Sequence, residues 1–240
     1  VNYIGNCPFH NEKTPSFTVS ATKGIFKCFG CGVGGNAVKF IMDIEHYTYP
    51  EALKYIAKKY NIEVVEKEIS KEQQEKNNKK ESLYLITKFA NKHFENTLWK
   101  NQEGVIVGLN YFKERGFNEK VIREFNLGYN TKDKNSLFDQ FVKMGFDKEL
   151  LVESGLIIKS NNNYFDRFRE RVIFPIHSFS GRILGFGGRA FNGENKAKYL
   201  NSPESVIYYK SKILYGLFQS KSYISKENSC FIVEGYTDVI

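Results

Sequence analysis

Cys7-Pro-Phe-His10 and, after seventeen intervening residues, Cys28-Phe-Gly-Cys31 set two pairs of soft donors in the chain, each pair on one tight turn. Two donors per turn and four in all is the set that tetrahedral zinc takes. Gly30, Gly32, Gly34 and Gly35 surround the second pair and let the backbone bend until both sulfurs point inward. Four protein ligands leave no open coordination position, so zinc held here, one ion per chain, is structural. A disulfide framework or buried thiols are the alternative use of these cysteines; the framework needs an oxidising compartment, and either leaves His10 without a role.

Other stretches carry phosphate or metal chemistry in their residue types. Asp166-Arg-Phe-Arg-Glu-Arg171 leads into Val172-Ile-Phe-Pro-Ile176. If extended, Arg167, Arg169 and Arg171 share one face and offer three guanidinium groups to phosphate oxygens, or else form a solvated edge paired with Asp166 and Glu170. Gly185-Phe-Gly-Gly-Arg189 combines close backbone approach with a cation, although a bulged hairpin uses glycine in the same way. Lys198-Tyr-Leu-Asn-Ser-Pro203 mixes a base, an aromatic ring and amide donors ahead of a proline turn, suited to a nucleotide or simply to a loop. In Phe231-Ile-Val-Glu234-Gly-Tyr-Thr-Asp238 a carboxylate follows an apolar run, the place where open α/β sheets set a metal or substrate ligand. Glu234 is thus either a Mg²⁺ ligand or an ordinary strand-ending carboxylate.

The elements that must position these groups are legible in outline. Ser16–Ser20 and Gly24–Cys28 are predicted as two strands joined by a Thr-Lys-Gly turn, a zinc-ribbon-like hairpin between the two donor pairs. Asn36 caps a helix through Asp43, and Pro50 opens a second helix through Ala57, closing a small domain over residues 1–65. Residues 66–81 carry charge with almost nothing to bury and read as a linker, with i,i+4 pairs Glu72–Lys76 and Glu75–Lys79 that favour transient helix. An apolar helical stripe follows over Leu83–Trp99, then short helices around 108–114, 119–125, 136–143 and 148–154, punctuated by Gly116, Gly128, Gly145 and Gly155. Strands are predicted over Arg171–Ile176, Arg182–Phe186 and Cys230–Val233, with a helix around Lys210–Phe218. Cys230 reads as a buried small apolar residue. Helices giving way to strands, with a final buried-type strand, point to an α/β or α+β second domain, of which α+β is the class expected.

The 240 residues suffice for two domains, and no apolar run is long enough to cross a bilayer, so no membrane partner is expected. A formal net charge of +8 favours a polyanionic partner. Lysine is discounted, because the Asn, Lys, Ile, Phe and Tyr content fits an AT-rich coding sequence. Three of four cysteines lie in the metal pattern, which suits a reducing cytoplasm.

Taken in order, the donor pattern with Asn11-Glu-Lys-Thr-Pro-Ser-Phe17 and Phe26-Lys-Cys-Phe-Gly-Cys-Gly32, then Arg167–Ile176, Gly185–Arg189, Lys198–Glu204, Leu214-Tyr-Gly-Leu217 and Val233–Asp238, closely resembles the bacterial replicative DNA primases across nearly the whole chain. The resemblance implies a zinc-ribbon domain at 1–65, the linker at 66–81, an N-terminal part of an RNA polymerase domain at 82–228, and the first strand and glutamate of a Toprim subdomain at 229–240. It implies a nucleotidyltransferase that makes short RNA primers on single-stranded template during DNA replication, from ribonucleoside triphosphates, in the bacterial cytoplasm at the replication fork.

By the same resemblance Glu234 matches the Toprim glutamate, catalytic and a ligand of Mg²⁺ or Mn²⁺. Arg115, Arg167, Arg169, Arg171, Arg189, Lys198 and Lys210 match basic positions along the template and nucleotide region. Lys13, Pro15, Lys23 and Lys27 match positions that meet single-stranded DNA, with Phe17, Phe26 and Phe29 assigned to the small-domain core rather than to base-stacking platforms. The chain starts inside the zinc domain and stops just past Glu234, so it reads as a fragment lacking the later Asp-x-Asp cluster and the C-terminal domain that would meet the replicative helicase. Two other functions stand beside this one: a non-catalytic zinc module for single-stranded DNA, and a Toprim topoisomerase or nuclease.

Overall fold

Phe17 and Val19 on one strand and Phe26 and Cys28 on the next alternate with polar residues, the period that turns one face of a strand inward. In the computed structural model these residues do line one face of a small antiparallel sheet, with Val19 opposite Phe26. The structure describes residues 2–45, 47–63, 70–191 and 197–240, divided between two units, Val1–Ile69 and Ser70–Ile240.

The first unit runs β1 (Asn2–Gly5), β2 (Phe17–Ser20), β3 (Ile25–Cys28) and β4 (Gly34–Asn36) in spatial order, then α1 (Ala37–Glu45) and α2 (Tyr49–Lys59). Asn36 Oδ1 accepts the Lys39 N–H at 2.9 Å, the expected cap of α1. Glu51 accepts both the amide and the hydroxyl of Thr48 ahead of α2. The core is four phenyl rings, Phe9, Phe17, Phe26 and Phe40, with centroids 5.3 to 6.1 Å apart. Phe29, expected among them, is 75% exposed. It lies past Cys28, where β3 ends and the alternation that turned Phe26 inward no longer applies.

The second unit begins with α3 (Lys71–Lys100), a π-helical turn over Gly104–Leu109, α4 (Asn110–Glu114) and α5 (Glu119–Glu124). There follow β5 (Gly128–Asn130), α6 (Ser136–Lys143), α7 (Lys148–Glu153), β6 (Ile157–Ser160), β7 (Asn163–Asp166), β8 (Arg171–His177), β9 (Ile183–Ala190) and β10 (Tyr199–Asn201). A 3₁₀ turn at Lys210–Lys212, α8 (Leu217–Glu227) and α9 (Tyr236–Val239) complete it. The main sheet is antiparallel in the order β10-β9-β8-β5, and β6 pairs with β7. Every residue of β8 is buried. Ile173 packs with Leu83, Ile86, Ala90 and Phe94 of α3, whereas Val172 and Phe174 pack with Leu98, Phe112, Ile122 and Leu127. Cover on both faces is why Val172-Ile-Phe-Pro-Ile176 is apolar without alternation. The mixed α+β class holds, and no helix among the described residues is long and apolar enough to cross a membrane.

Four local expectations are corrected. Within the predicted linker, residues 66–69 lie outside the described residues, but 71–81 form the first turns of α3. Ser70 Oγ caps that helix by accepting the Gln73 N–H at 3.3 Å, and side chains anchor it at Lys79–Glu153 (2.8 Å) and Glu81–Arg182 (2.8 Å). Good helix formers with distant anchors need no apolar face of their own. The helix expected around Lys210–Phe218 instead starts at Leu217, after Gly216 in the left-handed region at φ 78°. Cys230–Val233 forms no strand, with Phe231 96% exposed and Cys230 exposed too, because no described strand runs beside it to pair with its backbone. Finally, Arg167 and Arg169 sit in a turn and only Arg171 enters β8, so the three do not share a strand face.

Candidate metal centre and basic cleft

Cys7 and His10 lie on the turn after β1, and Cys28 and Cys31 on the turn that ends β3. Their ligand atoms all fall within 4.8 Å of one another. Cys7 Sγ is 3.9 Å from Cys31 Sγ, and His10 Nδ1 is 3.9 Å from Cys28 Sγ. Zinc–sulfur bonds of ~2.3 Å at tetrahedral angles give sulfur–sulfur edges of ~3.8 Å, so the set fits the ion, whereas a disulfide needs ~2.05 Å. The Phe9 and Cys31 amides point at Cys7 Sγ and Cys28 Sγ, both at 3.4 Å, and so stabilise thiolates. Burial opposes ionisation of Cys28, but the Ser16 hydroxyl and the Cys31 amide prevail and bring its thiol down to about 6. At Cys7 burial prevails and pushes the thiol up.

One carboxylate organises this loop. Glu12 Oε1 accepts the Cys7 N–H at 2.7 Å and the Ser16 N–H at 3.0 Å, and Oε2 accepts the Ser16 hydroxyl and faces His10 Nε2 at 3.2 Å. With Nε2–H donating to Glu12, Nδ1 is the ring nitrogen left for the metal. The Ser16 hydroxyl, first among these partners, holds the Glu12 carboxyl below the usual carboxylate range. Residue spacing marked the four ligands but not Glu12; a glutamate in a polar loop carries no signature of inward burial.

In the second unit two of the predicted cationic residues, Arg115 and Arg189, meet on one ring. Tyr111 of α4 has the Arg115 guanidinium 4.9 Å and the Arg189 guanidinium 5.0 Å from its centroid, and Arg189 Nη1 also donates to its hydroxyl. Arg189 lies 5.6 Å from the Tyr199 ring as well. Burial pushes the Tyr111 hydroxyl up in pKa despite both cations. Beside it opens a cleft of about 510 Å³ lined by Tyr111, Glu114, Arg115, Phe117, Thr237 and Asp238. The far wall is α9, fixed by Tyr236, whose ring stacks on Phe174 at 5.2 Å and whose hydroxyl donates to Asn201 Oδ1 at 2.8 Å. Asp238 Oδ2 accepts the Gly235 N–H at 3.1 Å, and Glu234 is exposed just before this turn.

The glycines expected to admit a ligand serve the protein's own rings instead. A Cβ on Gly187 would lie 2.5 Å from the Tyr236 ring, and one on Gly188 would lie 2.7 Å from Phe168. Arg171 is only 5% exposed, its Nη1 donating to the carbonyls of Gly188 (3.3 Å) and Lys198 (3.5 Å), and burial lowers its pKa. Arg167 and Arg169 are half-buried in the 167–170 turn, and Arg167 Nε has no hydrogen-bond partner among the described residues. That turn is held by Asp166, which accepts the Leu137 and Phe138 amides at 2.8 and 3.0 Å and so caps α6. Burial drives the Asp166 carboxyl up to about 6, against those hydrogen bonds. Lys13, Lys23, Lys27, Lys198 and Lys210 are exposed. The structure thus joins Arg115 to Arg189 through Tyr111, leaves Arg171 as an internal tie, and adds Tyr111 and Asp238, which spacing alone did not single out.

Residues 93–221 match the family described as the DNA primase catalytic core, N-terminal domain, and residues 1–73 match the CHC2 zinc finger. The chain belongs to the DNA primase family. A DNA primase of Halalkalibacterium halodurans is 44% identical over 241 residues, covering 100% of this chain and 40% of the relative, and one of Clostridium acetobutylicum is 42% identical over 240 residues. The chain spans about 40% of the length of these curated primase relatives. Among solved structures, the zinc-binding and RNA polymerase domains of the Aquifex aeolicus primase align at TM-score 0.60 and 38% identity, over 99% of this chain and 56% of that one. A DnaG primase catalytic domain bound to single-stranded DNA aligns at TM-score 0.61 and 32% identity, over 68% of this chain and 52% of that one. The four-ligand cluster of this primase-family chain is accordingly a structural zinc site.

Proposed function

We propose that this chain supplies the zinc-bearing and template-handling part of a bacterial DNA primase, a DNA-directed RNA polymerase that makes short RNA primers on single-stranded DNA during replication. The observation that carries the proposal is the Arg115–Tyr111–Arg189 cluster, of which Arg115 and Tyr111 line a cleft that Thr237 and Asp238 of α9 also line. Two guanidinium groups held on an aromatic ring are suited to phosphate oxygens, and bases stack on exposed aromatic faces such as Tyr199. Arg167, Arg169, Lys198 and Lys210 extend the basic surface for template and ribonucleoside triphosphates, and Arg171 keeps the strand ends beneath them in register. Lys13, Lys23 and Lys27 do the same work on the zinc unit.

Glu234 is the proposed catalytic carboxylate and ligand of Mg²⁺ or Mn²⁺; exposed, it offers the oxygen donors that hard cations take. Glu234 would hold such an ion, which would supply Lewis-acid stabilisation of the transferring phosphoryl group. The replicative helicase is the proposed partner of the full-length protein, at the replication fork in the cytoplasm. Ribonucleotide incorporation on single-stranded template with Mg²⁺, by a chain of the relatives' full length, tests this function. Glu234→Gln should abolish incorporation while leaving template affinity nearly intact; undiminished synthesis by that variant would remove Glu234 from the mechanism.

A further inference from the structure

Phe29 is the one phenylalanine of the zinc unit's described residues that is exposed, and it sits between two ligand cysteines. Its backbone has little freedom. The Phe29 N–H donates to Ser16 O at 2.9 Å, the Gly30 N–H to Ser16 Oγ at 3.2 Å, and the Gly32 N–H to Cys28 O at 3.1 Å. With Cys28 and Cys31 committed to zinc, the phenyl ring stands on a rigid turn, exposed at a cost of about 2 kcal/mol relative to burial. The same hydrogen bonds join this turn to the 13–16 loop, which carries exposed Lys13 and Pro15. Lys27 folds over the turn, its Nζ donating to Gly32 O at 2.7 Å.

Charge settles which partner suits the ring. Between residues 2 and 36 the only carboxylate side chain is Glu12, which is 10% exposed and turned toward the metal loop. The exposed charges of this stretch are therefore Lys13, Lys23 and Lys27, all positive. A preorganised aromatic ring among cations fits a strand that offers flat bases and phosphates together.

We propose that Phe29 is a stacking platform for one unpaired base of single-stranded DNA, with Lys27 and Lys13 placed for the flanking phosphates. This rests on the proposal above that the zinc unit meets single-stranded template. The test is fluorescence anisotropy of a labelled oligo-dT with this chain at several salt concentrations. Phe29→Ala and Phe29→Leu should each weaken binding about 5- to 100-fold with the salt slope unchanged, and Phe29→Trp should restore it. Lys27→Ala should instead flatten the salt slope by about 0.7. Wild-type affinity in Phe29→Leu, with Lys27→Ala impaired, would overturn the platform and leave template binding standing. No binding by the wild-type chain at low salt would overturn both. Should Phe29→Ala lose zinc, photocrosslinking of 5-iodouracil DNA to the wild-type chain decides the matter, because adducts at residue 29 support stacking and adducts that avoid it exclude it.

Discussion

Replacing Glu12 with Gln removes one negative charge and little else, which makes it a sharp test of how the zinc loop is built. The amide oxygen of the variant can still accept the Cys7 and Ser16 N–H groups that Glu12 Oε1 now serves at 2.7 and 3.0 Å. The amide nitrogen takes the place of Oε2. Ser16 can rotate its hydroxyl to accept from it, but His10 Nε2–H, 3.2 Å away, then meets a donor instead of an acceptor. The loss is one hydrogen bond to a charged group, about 1.5–3 kcal/mol, together with the bias that leaves Nδ1 free for the metal. Zinc affinity should therefore fall about 10- to 100-fold, read by competition with a chelator of known affinity. Nitrogen NMR of His10 in the zinc-loaded variant should show a ring no longer held in one tautomer. Unchanged affinity with an unchanged His10 spectrum would refute the assignment of Glu12 as the group that orients the histidine.

Three further outcomes are expected. Cys230→Ser should leave zinc content at one per chain by elemental analysis, because Cys230 lies in the other unit, outside the ligand cluster. Arg169→Ala should weaken single-stranded DNA binding more than Lys80→Ala, an exposed change on α3, and equal effects would reduce the 167–171 arginines to surface solvation. For Asp166 the folded carboxyl, raised to about 6 by burial, lies above its unfolded value near 4, so its contribution to stability is fully present below about pH 4 and is lost as pH rises through 6. Between pH 4 and 7 the wild type should lose on the order of 2 kcal/mol more than Asp166→Asn in urea unfolding, and parallel profiles would show that the carboxyl is not raised.

The zinc ligands, the β2–β3 hairpin, the Asn36 cap and the apolar stripe of α3 were legible in the residues, because each depends on neighbours a few positions away: donor pairs three apart, alternation of two, a cap three residues from its amide. Family motifs carried the rest of the functional outline. Tertiary contacts decided what local pattern could not. Residues 71–81 became helix through anchors at Glu153 and Arg182, and Phe231 stayed exposed with no described strand beside it. Arg171 turned inward to two carbonyls while Arg115 and Arg189, 74 positions apart, met on Tyr111. Phe26 was buried and Phe29 exposed although they are three residues apart. Ligand spacing, capping and periodicity are short-range and so are written in consecutive residues. Whether a given ring or guanidinium faces solvent, a carbonyl or another ring depends on which distant segment covers it, and that is settled only when the chain has folded.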